Sequence, residues 1–105
     1  RNEMIDADIG WDIVKVGATE LSDDELDMIV HALRMRSVYW SNLAEDDDYL
    51  SRRADRRMRM RNEDDPEMMS FFKAEIRGDY EFKSREHRRL SDLFFEVCCE
   101  RKESD

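Results

Sequence analysis

The sequence predicts an all-α protein, a compact antiparallel bundle of three to four helices with a short extended N-terminal arm. Charged residues make up 43% of the 105 residues and apolar residues 40%, a mixture typical of amphipathic helices. The chain holds only three glycines and one proline, too few for the turns of a multi-stranded sheet. At this length we expect one helical domain over residues 21–105, preceded by the arm over residues 1–20.

The predicted arm carries the one strand-like pattern in the sequence. Within residues 5–17, Ile9, Trp11 and Ile13 alternate with polar residues. Because one strand cannot make a sheet alone, we interpret this segment as an arm whose Trp11 and Ile13 pack on the helices. The alternative is a strand that pairs with a second copy of the chain or with the sheet edge of a partner.

The first helix is predicted to begin at Ser22. Ser22 and Glu25 have the spacing of a capping box, in which each side chain binds the backbone N–H of the other residue. An apolar stripe at three- and four-residue spacing follows, formed by Leu26, Ile29, Leu33, Trp40, Leu43 and Ala44. Since Arg36 falls inside this stripe, it must extend past Trp40 to solvent or pair with a carboxylate.

A second helix, or a continuation of the first, is predicted around the arginine-rich stretch RRADRRMRMR. Its apolar stripe is thin and consists of Leu50, Ala54 and Met58. Acid precedes base at four-residue spacing in Asp48 with Arg52 and in Asp55 with Arg59, which favours ion pairs along the helix.

The strongest boundary signal is Asp65 followed by Pro66, because proline suits the first helical position and restricts the residue before it. A new helix is therefore predicted from Pro66. We expect a break or kink in it near Gly78, where the apolar pattern is interrupted. The inner face is predicted to hold Met68, Met69, Phe72, Ile76, His87, Leu90, Leu93, Phe94 and Val97.

The arginine block is the first candidate binding surface. It comprises Arg52, Arg53, Arg56, Arg57, Arg59 and Arg61. Acidic stretches lie on both sides of it and the net charge is −9, so we expect these arginines to pair within the protein or to meet a protein partner of mixed charge. Contact with nucleic acid is the alternative, less favoured because the block is locally neutralised.

The second candidate surface is apolar. More large apolar side chains lie near the carboxyl end than one helix stripe can hold, and they predict an oligomer or partner interface. The predicted interface residues are Trp11, Phe71, Phe82, Phe95 and Cys99. The alternative is that the last helix is central and buried on several sides.

Two pairs of carboxylates suggest a remote enzymatic alternative. The pairs are Asp24 with Asp27 and Glu45 with Asp48. At these four positions only, the sequence resembles the magnesium-binding acids of all-α nucleotide pyrophosphohydrolases. That resemblance implies a Mg²⁺-dependent enzyme. With 27 acids in the chain such pairs arise by chance, so we predict no catalytic residues, no metal and no cofactor.

These observations predict a non-enzymatic protein–protein interaction module, an adaptor, regulator or inhibitor of a larger macromolecular partner. A variant of this prediction is an acidic mimic of nucleic acid; the alternative function is nucleic-acid binding through residues 52–61. We expect a homo-oligomer, a dimer, that does not enter a membrane. The adjacent Cys98 and Cys99 cannot bridge each other on a helix, which favours reduced thiols and the cytoplasm.

Overall fold

The structure is a computed structural model and describes residues 15–104. Over this range the chain is all-α, as predicted: helix α1 spans Asp23–Glu45, α2 spans Asp47–Met60 and α3 spans Pro66–Ser104. Residues 15–18 are helical as well, and no strand occurs between residues 15 and 104.

The predicted N-terminal arm is only partly covered by the described residues. Trp11 and the rest of the strand-like pattern up to residue 14 lie outside them. The end of the predicted arm is not extended, because residues 15–18 form a helical turn. Ala18 in this turn is fully buried in a cluster with Leu26 and Val97, so burial of a small apolar residue fixes the local conformation.

The start of α1 has the predicted capping box. The backbone N–H of Glu25 donates to Ser22 Oγ at 3.1 Å, and the backbone N–H of Ser22 donates to Glu25 Oε1 at 2.8 Å. Both bonds satisfy N–H groups that a helix start leaves without an intrahelical partner. The helix therefore begins where the local sequence predicts it.

Helices α1 and α2 are separate rather than continuous. Asp46 between them has φ −87° and ψ 90°, outside the helical region, and its carboxylate accepts from the backbone N–H of Tyr49 at 3.0 Å. At the other end of α2, Asn62 adopts the left-handed region with φ 56°. The backbone N–H of Glu63 then donates to the carbonyl of Met58 at 2.9 Å, the bond of a Schellman motif.

Helix α3 begins at Pro66 as predicted, but the predicted break near Gly78 is wrong. The helix runs through Gly78 without interruption for 39 residues. The physical reason lies on either side of Gly78, since Ile76 and Tyr80 are both buried and fix adjacent turns of the helix against the core. Burial of these two side chains outweighs the low helix propensity of one glycine.

The chain forms two units, each with its own apolar core. Of the described residues, the first unit comprises 15–35 and 87–104, and its core joins Ala18, Leu26 and Val97. The second comprises residues 36–86. The core of the second unit consists of Ala44, Leu50, Ala54, Met58, Phe72, Ile76 and Tyr80.

Candidate partner-binding surfaces

The six arginines of the block have different environments in the structure. Arg52 donates to Asp48 at 2.8 Å, and Arg59 pairs with Asp55. Both pairs were predicted from the four-residue spacing and are confirmed. They lie on the solvent side of α2, where such pairs add only a few tenths of a kcal/mol to helix stability, about 0.3–0.5 each.

The other four arginines of the block line one groove, which we call the arginine groove. Its volume is about 480 Å³. It is lined by Arg53, Arg56, Arg57, Met60, Arg61 and Ile76. Within the part of the chain that the structure describes, no carboxylate lines this groove, although acids surround the block in the sequence. The groove therefore collects positive charge that the linear charge pattern does not reveal.

The positions of the groove arginines depend on the core of the second unit. Arg57 pairs with Glu75 of α3, and its guanidinium carbon lies 5.6 Å from the centroid of the Phe72 ring. Arg61 lies 5.2 Å from the same centroid. Phe72 is fully buried, so its ring gives both guanidinium groups a fixed aromatic support.

Arg53 lies against Tyr80 in the same unit. Burial raises the pKa of Tyr80, a hydrogen bond with Tyr49 raises it further, and Arg53 acts in the opposite direction through its charge and a hydrogen bond. Among residues 15–104, the Arg56 side chain has no hydrogen bond, ion pair or ring contact. Arg56 is therefore the groove cation most available to a ligand.

The three phenylalanines of the predicted apolar interface are exposed in the structure. The exposed fraction is 55% for Phe71, 53% for Phe82 and 45% for Phe95. Cys99 is half-buried, and Trp11 lies outside the described residues. Phe71 and Phe82 belong to the second unit, and Phe95 belongs to the first, so they do not form one patch within either unit.

Arginine also covers part of this apolar surface. The guanidinium carbon of Arg34 lies 4.9 Å from the centroid of the Phe95 ring. Arg36, the charge inside the predicted stripe of α1, lies 4.3 Å from the Tyr39 centroid and 5.0 Å from that of Trp40. The charge of Arg36 within the apolar stripe of α1 is therefore accommodated by stacking on aromatic rings rather than by pairing with an acid.

Several exposed apolar side chains were not predicted from the sequence. Met60 is 79% exposed at the arginine groove, and Met28 and Met35 are 64% and 57% exposed on α1. Met28 and Met35 are seven residues apart, off the buried stripe of the same helix. A search for apolar residues at helical spacing on the outer face of α1 would have found them.

The carboxylates that suggest a magnesium enzyme do not form a metal site in the described structure. Residues 15–104 contain no group of three or more His, Cys, Asp or Glu side chains placed to hold a metal ion. Asp24 and Asp27 lie beside Cys98 and Lys102 in the first unit. Asp48 is paired with Arg52, as described above.

The thiol of Cys98 is suppressed rather than activated. Burial raises its pKa, and the carboxylates of Asp27 and Asp23 and the neighbouring Cys99 raise it further. Since the thiolate is the reactive form of cysteine, these surroundings do not make Cys98 a nucleophile. Both cysteines are free thiols.

No helix in the part of the chain that the structure describes is long and apolar enough to cross a membrane. The class that the fold defines is an all-α protein with two small helical cores. No protein-family model matches the sequence, and neither a curated protein nor a solved structure matches it.

Proposed function

We propose that this chain is a non-enzymatic protein–protein interaction module that regulates, inhibits or adapts a larger macromolecular partner. One observation carries the proposal: in the second unit, the large apolar side chains of Met60, Phe71 and Phe82 are each more than half exposed. Exposed apolar area of this kind, on a chain with a marginal core, favours a surface that another molecule covers.

Covering these side chains yields a useful amount of binding free energy. A phenylalanine buries about 150–250 Å² in a full contact, and apolar burial contributes about 25 cal/mol per Å². Covering the exposed half of Phe71 or Phe82 therefore contributes about 2 kcal/mol each. A contribution of this size is typical of the few side chains that dominate the binding energy of an interface.

Charge distribution in the second unit supports a protein partner over the nucleic-acid mimic. The acids Asp48, Asp55 and Glu75 are each paired with an arginine of the block rather than gathered on a face of their own. A mimic of nucleic acid presents a row of unpaired acids. The surface of this unit instead offers both charges beside apolar side chains.

The proposal includes the predicted antiparallel bundle and a homodimer in the cytoplasm. Contacts in the second unit support antiparallel packing of its segments of α1 and α3. Ser37 Oγ donates a hydrogen bond to the carbonyl of Ser84, and Arg77 donates one to the carbonyl of Ala44. Ala44 comes after Ser37 in α1, whereas Arg77 comes before Ser84 in α3. The free thiols of Cys98 and Cys99 agree with a reducing compartment.

The experiment that tests the function is affinity capture from the native host with matched variants. We compare the wild-type chain with Phe71→Ser, Phe82→Ser and the double variant. Val16→Ser is the control, since Val16 is 73% exposed but belongs to the first unit. We expect a partner that is retained by the wild type and the control and lost by the double variant.

Light scattering on the free chain tests self-association in parallel. A dimer that the double variant converts to a monomer supports a homo-oligomeric interface. Capture that is identical for the double variant and the control contradicts the proposed surface. Hydrolysis of nucleotides with Mg²⁺, abolished by Asp27→Asn with Glu45→Gln, contradicts the non-enzymatic proposal and restores the enzymatic alternative.

A further inference from the structure

We propose that the arginine groove binds an acidic segment of a partner protein, in which carboxylates flank one large apolar side chain. The inference rests on the proposed function, because it names the chemistry of a partner segment for a second surface of the same unit. It goes beyond that function in assigning a ligand class to four specific arginines.

Most of the positive charge in the groove is not neutralised by an ion pair within the described residues. Of the four groove arginines, Arg57 has an ion pair, with Glu75, and Arg61 rests on the ring of Phe72. Arg53 lies near the Tyr80 hydroxyl, whose raised pKa keeps it neutral at physiological pH. Arg56 has no partner among residues 15–104. Neighbouring guanidinium groups repel one another, so an anion that lies between them relieves this repulsion.

Four of the acids in or beside the block in sequence have partners outside the groove, and Glu63 and Asp64, which follow the block, are not among its lining residues. Asp48 and Asp55 pair with Arg52 and Arg59, which do not line the groove. Asp46 caps α2. In the acidic stretch after the block, Asp65 accepts from the backbone N–H of Glu67 at 2.9 Å, at the start of α3.

The groove also has an apolar part. Met60 is 79% exposed, and the buried Ile76 of α3 also lines the groove. A methionine is unbranched and flexible, so it adapts to an apolar side chain of a ligand. A segment with only charges leaves Met60 uncovered, whereas a segment with an apolar residue between acids satisfies both kinds of lining.

Carboxylates fit this groove better than a nucleic-acid backbone. Guanidinium groups bind carboxylates and phosphates alike through paired N–H donors. Among residues 15–104, no aromatic side chain lines the groove, so these residues provide no platform on which bases stack. The net charge of −9 opposes the approach of a long polyanion more strongly than that of a short acidic segment.

The probe is a fluorescein-labelled peptide in which four glutamates flank a central leucine. A panel of such peptides varies the distance between the leucine and the glutamates. Two matched peptides replace either the glutamates with glutamine or the leucine with serine. Fluorescence anisotropy with the full chain measures binding, and we expect a Kd between about 1 and 100 μM for the best member of the panel.

Variants of the block provide an internal control. We expect Arg56→Gln to raise the Kd of the best peptide about tenfold, because it removes a charge-assisted hydrogen bond. The double variant with Arg53→Gln should raise the Kd further for the same reason. Arg52→Gln and Arg59→Gln remove the same charge from the same helix outside the groove. We expect these two controls to change the Kd less than about twofold. Circular dichroism verifies that every variant keeps its helices.

Both matched peptides should bind more weakly than the parent, the glutamine peptide most of all. Raising the salt from about 50 to about 300 mM should weaken the parent peptide, because its contacts are ionic. Failure of every panel member to bind below about 1 mM overturns the proposal. Equal effects of Arg56→Gln and Arg59→Gln overturn it as well. Micromolar binding of duplex or single-stranded DNA that Arg56→Gln abolishes replaces it with the nucleic-acid alternative.

The outcome is separable from that of the proposed function. If no acidic peptide binds but partner capture depends on Phe71 and Phe82, the groove proposal fails and the interaction module stands. If the peptide binds through Arg56 but capture of the partner does not depend on Phe71 and Phe82, the apolar surface is not the partner site. The groove proposal is then supported by itself.

Discussion

Ser37 and Ser84 are joined by reciprocal hydrogen bonds inside the second unit. Ser37 Oγ donates to the carbonyl oxygen of Ser84 at 2.8 Å, and Ser84 Oγ donates to the carbonyl oxygen of Ser37 at 2.9 Å. The two Oγ atoms are 3.1 Å apart. Ser37 is buried, so two small polar side chains, rather than large apolar ones, occupy this contact between α1 and α3.

The first prediction concerns this pair. Ser37→Ala and Ser84→Ala should each lower the free energy of unfolding by about 1 kcal/mol, because each removes a buried hydrogen bond. The double variant should lose less than the sum, since the two hydroxyls also contact each other. Urea denaturation measures the cycle, and Ser70→Ala on the exposed side of α3 is the control. Strictly additive losses would show that the two serines act independently.

Gly78 provides the second prediction. It lies in the interior of α3, and a Cβ added there meets no atom within 4 Å. Gly78→Ala should therefore raise the free energy of unfolding by about 0.5–1 kcal/mol, because alanine has the higher helix propensity and restricts the unfolded chain. Thermal denaturation measures the gain. Gly78→Pro should instead lose about 3 kcal/mol or more, and a neutral or destabilising alanine variant would support a break at Gly78.

Local sequence signals predicted the ends of the helices well. Three confirmed features depend on residues within four positions of each other. They are the capping box of Ser22 and Glu25, the start of α3 at Pro66 and the pairing of Asp48 with Arg52. Interactions over such short distances along the chain are the same in almost any tertiary context. They are therefore readable from one sequence.

Features that depend on distant residues were not predictable. The arginine groove includes Ile76 of α3, which is distant in sequence from the arginines of α2 that line it. Ser37 and Ser91 are buried although both are polar, because each hydroxyl donates to a backbone carbonyl that is distant in sequence. The error at Gly78 has the same origin, since the burial of Ile76 and Tyr80 that overrides the glycine is a tertiary effect.

The third prediction concerns the pH dependence of stability at the start of α1. Hydrogen bonds from the backbone and side chain of Ser22 hold the pKa of Glu25 below its ordinary value of 4.5. A carboxyl with a lowered pKa in the folded state stabilises the fold above its ordinary pKa, and this contribution is lost as the pH falls through the lowered value. The unfolding free energy of the wild type should therefore fall in acid partly through Glu25.

Glu25→Gln isolates this contribution. Glutamine keeps an oxygen that accepts from the backbone N–H of Ser22 but does not titrate. Urea denaturation between about pH 3 and pH 7 should give a flatter pH profile for the variant than for the wild type. Ser22→Ala should flatten the profile too and lower stability at neutral pH by about 1 kcal/mol. Superimposable profiles for the wild type and Glu25→Gln would contradict the capping box in solution.

The last prediction concerns the reactivity of Cys98. Burial and the nearby carboxylate of Asp27 raise the pKa of this thiol, so less of it is thiolate at a given pH. In a Cys99→Ser background, iodoacetamide should modify Cys98 more slowly than it modifies N-acetylcysteine at the same pH. Adding Asp27→Asn should speed the reaction, whereas Asp64→Asn, a change of the same charge in the other unit, should not.

Mass spectrometry of the alkylated chain over a range of pH gives both the rate of the Cys98 reaction and the midpoint of its pH dependence. Since restricted access alone slows the reaction without moving the midpoint, a midpoint equal to that of N-acetylcysteine would contradict the buried, acid-flanked thiol.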